Sequence, residues 1–226
     1  MKLNDADRIY LGSSAARRVY AGANKVWPSF PLVNNVATTI RTASAAPHVV
    51  NMPSGIVAGD LLLVVIGVLG ISSVSAGWTA LDTTTAQYRI ATGTSADALS
   101  VTATGTFTLT AVAYCISDYV GVPVSASVQA TSATHDPPAV TPAWGLKNTL
   151  WFVQASSSTA VGTGFISFPA NYDHPYYLIP SGTSNSIFRL WTARRRLRAA
   201  TEDPGPLTSG VSVAVRARTI AVQGIS

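Results

Sequence analysis

The stretch ALSVTATGTFTLTAVAYCI, residues 98–116, holds the pattern that decides the fold. In residues 99–104, and again in residues 107–112, apolar residues alternate with threonine or serine, as in a strand with one buried and one solvated face. The triplet Thr104-Gly105-Thr106 between them is typical of a turn. The stretch therefore predicts two β-strands separated by a turn.

The same chemistry recurs along most of the chain. Segments rich in Val, Ile, Thr and aromatic residues are separated by Gly, Pro, Ser and Asp turn signals, and none has a convincing helical period. Such strands most simply form two packed antiparallel sheets, so we predict an all-β sandwich of Greek-key or jelly-roll type. In residues 211–218 the alternation predicts that Arg216 and Arg218 point outward. The predicted strands are residues 36–41, 49–52, 61–69, 87–91, 98–103, 106–116, 149–156, 187–196 and 211–222.

The composition is that of a folded β-protein without a membrane span. Hydrophobic residues make up 47% of the 226 residues, enough for a substantial core, and charged residues make up only 11%. The longest apolar run, residues 61–69, is far shorter than the roughly 20 residues of a membrane-spanning helix, and it predicts a buried strand. Asp5, Asp7 and Arg8 near the start argue against a secretory signal.

Few residues suggest catalysis or metal binding. Cys115, the only cysteine, lies in an apolar run and is predicted to be a core residue. His48, His135 and His174 lack the spacing of a metal site, and Glu202 is the only glutamate. The sequence has neither a phosphate-binding glycine loop followed by a helix nor a nucleophile elbow. We therefore predict no catalytic residue, no metal site and no cofactor; a polysaccharide depolymerase is the enzyme alternative.

Basic residues concentrate at the two ends of the chain, and the densest group is an arginine run in residues 194–198. In a strand these side chains divide between two faces, and Glu202 and Asp203 follow closely enough to neutralise part of their charge. We predict an edge-strand or subunit-contact role for the run, with a solvated face or a polyanion site as alternatives. The absence of interleaved aromatic residues disfavours nucleic acid. The run comprises Arg194, Arg195, Arg196 and Arg198.

A second candidate is NYDHPYY, residues 171–177, which is polar, aromatic and irregular. Such a segment on a rigid scaffold is typical of a recognition loop, here with a host surface glycan as a candidate ligand. The alternative is a tyrosine-rich loop that only packs. The candidate receptor residues are Tyr172, Asp173, His174, Tyr176 and Tyr177.

The chain opens with a short repeat, because Ile9-Tyr10-x-Gly12 returns as Val19-Tyr20-x-Gly22. Prolines at positions 28 and 31 mark a linker, so we predict an N-terminal segment of residues 1–30 and a sandwich domain of residues 31–226. A hairpin or meander of this size cannot bury its apolar side alone, so another surface must cover it. The predicted docking residues are Ile9, Tyr10, Leu11, Val19, Tyr20, Val26 and Trp27.

These residues carry a resemblance to a known group of proteins. RIYLG at residues 8–12 and RVYAGANKVWP at residues 18–28 resemble the IYxG…VYxG…VW hairpin of tail fibre and minor tail proteins of tailed bacteriophages. PSGIVAGDLLL at residues 53–63, GWT at 77–79, YRIA at 88–91 and ATEDPG at 200–205 are similar to a β-sandwich module of such proteins. The shared motifs are structural rather than catalytic.

The resemblance implies a noncatalytic virion component that is made in the host cytoplasm. It favours a tail fibre or minor tail position, other virion proteins as partners, a homotrimer and a role in host attachment. A capsid decoration or head-fibre protein and a carbohydrate-binding adhesin module are the alternatives.

Overall fold

The computed structural model describes residues 30–41, 47–68, 70–83, 85–103, 108–157, 167–180 and 188–225, and, for the backbone only, residues 9–11, 14–16, 20–21 and 24–25. The described residues form antiparallel strands and one short 3-10 turn, Ser95–Asp97, and contain no α-helix. The predicted all-β class is therefore confirmed. The strands are β1 (Ile9–Leu11), β2 (Ser14–Ala16), β3 (Tyr20–Ala21), β4 (Asn24–Lys25), β5 (Leu32–Arg41), β6 (His48–Val50), β7 (Leu61–Gly67), β8 (Ile71–Val74), β9 (Thr79–Ala80), β10 (Ala86–Ile90), β11 (Leu99–Ala103), β12 (Leu109–Ser117), β13 (Tyr119–His135), β14 (Lys147–Ser157), β15 (Asp173–Leu178), β16 (Arg189–Ala199) and β17 (Leu207–Gly224).

The middle sheet has the order β5-β12-β7-β10-β9. Its strand β7 is the long apolar run of the sequence, and all seven residues of Leu61–Gly67 are buried. Leu62, Val64 and Ile66 enter one hydrophobic cluster, and the intervening apolar residues enter another on the opposite side. A strand that is buried on both faces needs no polar alternation, which explains the unbroken run.

Two further sheets cover the middle sheet. The three-stranded sheet β6-β11-β8 shares the first cluster with it, and the five-stranded sheet β13-β17-β14-β16-β15 shares the second. The sandwich prediction is confirmed, but the sandwich has three layers where the sequence predicted two. Residues 98–116 supply one strand to each of two layers, since β11 lies in a covering sheet and β12 in the middle one.

The middle sheet approaches the five-stranded sheet closely at Gly67. A β-carbon at this position would clash with the Thr110 hydroxyl oxygen and would lie 3.2 Å from the Arg189 carbonyl oxygen. The Thr110 hydroxyl donates to the Gly67 carbonyl and to the Phe188 carbonyl, each over 3.2 Å. Glycine therefore ends β7 where two layers meet without room for a side chain.

Cys115 is fully buried, as predicted, on β12. Its thiol donates a hydrogen bond to Asp60 Oδ2 over 3.0 Å. Burial, together with that hydrogen bond and the charge of Asp60, raises the pKa of Cys115 to about 12. The thiolate is therefore scarce at neutral pH, and Cys115 acts as a small core residue.

The long strand β13, which forms one edge of the five-stranded sheet, is absent from the predicted strands. Pro123 lies where the pairing register with β17 shifts, between Val120 and Val124. Proline is tolerated at a bulge of an edge strand because no ladder hydrogen bond is lost there.

The repeat at the start of the chain forms two separate ladders rather than one meander. β1 pairs with β2, so that Ile9 lies opposite Ala16, and β3 pairs with β4, so that Tyr20 lies opposite Lys25. Among the described strands, neither ladder extends any of the three larger sheets. The first strand of the middle sheet begins at Leu32, directly after the second proline of the predicted linker.

Candidate functional site

A cleft of about 210 Å³ lies between the start of β5 and the pair β15 and β16. One wall is apolar and comes from the first residues after the N-terminal segment, and the opposite wall is charged. The cleft thereby brings together the two groups that the sequence predicted separately, the arginine run and the tyrosine-rich segment. It is lined by Pro31, Leu32, Val33, Leu150, Asp173, His174, Arg194, Arg195 and Arg196.

The tyrosine-rich segment is an edge strand rather than an irregular loop, which corrects the sequence prediction of its structure. β15 pairs with β16 so that Asp173 lies opposite Arg194, and the register shifts between Asp173 and Tyr176. His174 sits in the shift with a φ of 49°. Its ring nitrogen Nε2 lies 3.8 Å from Asp173 Oδ2, and both side chains are more than half exposed. The bulge places both residues at the mouth of the cleft.

Tyr176 and Tyr177 project from opposite faces of β15. Tyr176 lies edge-on to Tyr114, with ring centroids 6.2 Å apart, and belongs to the core between the middle and five-stranded sheets. Tyr177 packs edge-on against Phe168 at 5.2 Å on the other face. Neither residue lines the cleft, so only Asp173 and His174 of the predicted receptor residues do so.

Arg194 reaches from β16 toward the core. Its guanidinium carbon lies 6.0 Å from the ring centroid of Tyr114, whose hydroxyl donates to Thr192 over 3.2 Å. Burial lowers the pKa of Arg194 and raises the pKa of Tyr114. Arg194 Nη1 is buried and has no hydrogen-bond partner among the described residues. An unpaired buried donor is costly, and Arg194 also lines the cleft.

Arg195 is held on the opposite face of β16 by Glu202 and Tyr172. Its guanidinium forms an ion pair with Glu202 Oε2, and Tyr172 donates its hydroxyl to Glu202 Oε1 over 3.0 Å. The Arg195 guanidinium also lies over the Tyr172 ring at 5.1 Å from its centroid. Burial and the adjacent Glu202 charge raise the pKa of Tyr172. The predicted neutralisation of the run by Glu202 is thus observed, at Arg195.

The arginine run divides between the two faces of β16, as the sequence indicated. Arg196 and Arg198 are exposed, whereas Arg194 and Arg195 are partly buried. β16 is not an outer strand, because it lies between β14 and β15. Its pairing with β15 ends at Arg194, so in the described structure the rest of the run is paired with β14 alone.

The outward orientation predicted for Arg218 is wrong, because Arg218 points inward and is fully buried. Its Nε lies 2.9 Å from Asp82 Oδ1, and its Nη1 donates to Gln154 Oε1 over 2.7 Å. Its Nη2 donates to the hydroxyls of Thr83 and Thr85. The predicted solvated face of β17 therefore faces the middle sheet at this position, where acceptors from other segments surround the guanidinium.

The predicted docking residues lie in the part of the chain that is described least. Ile9, Tyr10, Leu11 and Tyr20 belong to the short ladders, for which only the backbone is described. Val19, Val26 and Trp27 lie outside the described residues. Their docking role stays a prediction.

Because two histidines are buried, we expect the protein to become less stable in mild acid. Burial lowers the pKa of His135, and burial together with the charge of Arg41 lowers the pKa of His48. As the pH falls below about 6.5, these two histidines bind protons in the unfolded chain but stay neutral in the folded chain. We expect the free energy of unfolding to fall through this window and to level off below the folded pKa values.

Denaturant titrations at a series of pH values measure this loss. The variant His135→Gln should show a shallower decline than the unaltered chain between about pH 7 and pH 5, since one of the two groups is removed. An unchanged slope in His135→Gln would exclude His135 as a source of the acid sensitivity.

No family model, curated protein or solved structure significantly matches this chain. Among the residues that the structure describes, no three His, Cys, Asp or Glu side chains gather in a group suited to a metal ion. None of the described residues belongs to a helix with the length and apolar character needed to span a bilayer.

Proposed function

We propose that this protein is a noncatalytic structural component of a tailed bacteriophage virion, with a tail fibre or minor tail position favoured over the capsid. The observation that carries the proposal is the pair of ladders β1-β2 and β3-β4, which follow the repeated motif and extend none of the described larger sheets. A two-stranded ladder is marginal in water, so a neighbouring chain is the natural cover for its apolar side.

The outer edge of β13 supports association with other chains. Its 17 residues contain no Asp, Glu, Lys or Arg, and Val120, Val122 and Val128 are exposed. Residues 124–132 pair in regular register with β17, while the other side of β13 is the edge of its sheet. Proteins usually protect such an edge with charges or by covering it. Other virion proteins and further copies of this chain are the proposed partners, and the resemblance favours a homotrimer.

Removing the N-terminal segment tests the docking role. A chain that starts at residue 30 should keep its thermal unfolding midpoint, because the three larger sheets begin beyond that point. It should also fail to enter phage particles when the full chain is replaced by it. Quantitative protein analysis of purified particles measures the incorporation, and incorporation at the full-length level would contradict the docking role.

Imaging of labelled particles separates the tail position from a capsid decoration or head fibre. The noncatalytic proposal has its own test, because release of reducing ends from host polysaccharide by the purified chain would contradict it.

A further inference from the structure

The charges that line the cleft are not all satisfied within the described structure. Glu202 neutralises Arg195, but Arg194 Nη1 is buried without a hydrogen-bond partner, and Arg196 forms no ion pair with a described residue. Both arginines line the cleft on the same face of β16. Two guanidinium groups on one wall favour an anion, because charge-assisted hydrogen bonds are the strongest that such donors make.

The cleft also contains an acceptor. Asp173 lies opposite Arg194 on β15, and its carboxylate is 66% exposed. A ligand that carried only negative charge would be repelled by this carboxylate, whereas a ligand with hydroxyl groups beside its acid would donate to it. The lining therefore selects a molecule that has both an acid and hydroxyls.

Size and the apolar wall restrict the ligand further. The cleft measures about 210 Å³, below the roughly 300–1,000 Å³ typical of pockets for larger ligands. Pro31 and Leu32, at the start of β5, contribute apolar lining, and Leu150 on β14 adds apolar lining beside Arg196, its pairing partner on the neighbouring strand β16. One sugar ring with its C–H face against this wall fits the available space better than an extended chain.

We propose that this cleft binds a single sugar acid, with Arg194 and Arg196 on its carboxylate and Asp173 on its hydroxyl groups. The site would add a ligand class to the proposed virion role, but it uses only residues of the sandwich domain. Sugar binding and particle incorporation are separate measurements, so either proposal can fail without the other.

The site is tested by titrating the full chain with D-glucuronate at low salt and monitoring the protein signals by NMR. We expect shifts of the Arg194 and Arg196 signals, and binding of D-glucose at least about tenfold weaker because it lacks the charged group. Arg196→Gln should weaken glucuronate binding by about tenfold or more. Arg198→Gln is the matched control, because Arg198 is exposed on the same strand but lies outside the cleft.

Three outcomes would overturn the proposal. The first is the absence of any glucuronate-induced shift at these arginines. The second is equal binding of acetate and glucuronate, which would indicate a general anion site without sugar recognition. The third is tighter binding of an acidic peptide than of glucuronate, which would assign the cleft to a protein partner. Because Arg196 is exposed, Arg196→Gln should fold, and circular dichroism checks that it does.

Discussion

Replacing Arg218 by methionine is expected to lower the free energy of unfolding by about 3–5 kcal/mol, the usual cost of removing one partner from a buried ion pair. Arg218 is fully buried and joins the five-stranded sheet to the middle sheet through Asp82. Methionine fills part of the volume but leaves Asp82 and Gln154 without their donor. The lost stability therefore comes from buried acceptors that have lost their donor rather than from a cavity.

The Arg218 guanidinium stays charged in the folded protein. Burial lowers the pKa of Arg218 to about 10, although Asp82 opposes that shift. For Asp82, burial alone would raise the pKa, but the charge of Arg218 and hydrogen bonds outweigh it and keep the pKa low. Both members of the pair are thus ionised at neutral pH, and removal of one leaves the charge of the other without its partner.

Chemical denaturation of Arg218→Met beside Arg216→Met measures the effect. Arg216 is two residues away on the same strand, is only partly buried and donates to Gln129 over 3.0 Å. Its replacement should cost about 1 kcal/mol or less. Equal losses in the two variants would contradict the role given to Arg218. In a double-mutant cycle, Asp82→Asn should cost less in the Arg218→Met background than alone.

Replacing Glu202 by alanine is expected to cost about 3 kcal/mol, because it leaves the partly buried Arg195 guanidinium and the Tyr172 hydroxyl without their shared acceptor. Glu202 is 2% exposed, and its backbone forms a bridge with Val140 that ties the segment after β16 to the one after β13.

The neighbouring residue provides the control for Glu202. Asp203→Ala removes the same charge one position along, at an exposed side chain, and should change the free energy of unfolding by no more than about 0.5 kcal/mol. Thermal or denaturant unfolding of both variants gives the comparison. If Asp203→Ala were as destabilising as Glu202→Ala, net charge rather than the buried contact would explain the loss.

The strand pattern predicted the fold class because the two periodicities in β7 and β11 are direct consequences of burial. An unbroken apolar run indicates two covered faces, and alternation indicates one, as in β11. The solvated face predicted for residues 107–112 is wrong, because Thr110 on β12 is fully buried in the doubly covered middle sheet. Alternation does not say which sheet covers the face, so the third layer was not predictable from β11 and β12 alone. Strand β13 was not predicted because its edge position permits a proline at a bulge, whereas proline in a sequence argues against a strand.

Long-range contacts explain why the site was predicted only in part. Alternation correctly places Arg216 and Arg218 on one face of β17, but the acceptors Gln154 and Thr85 lie 64 and 133 residues from Arg218 in sequence. The arginine run and the tyrosine-rich segment were each recognisable by composition. Their meeting in one cleft depends on the pairing of β15 with β16, which local patterns do not encode.

We propose that the first 30 residues take a stable fold only against a neighbouring chain. Hydrogen exchange of the backbone amides of residues 9–25, compared between native particles and the isolated monomeric chain, tests it most directly. We predict strong protection in the particle and almost none in the monomer, while residues 61–67 are protected in both. Equal protection of residues 9–25 in the monomer would contradict the claim, because the segment would then be stable without a partner.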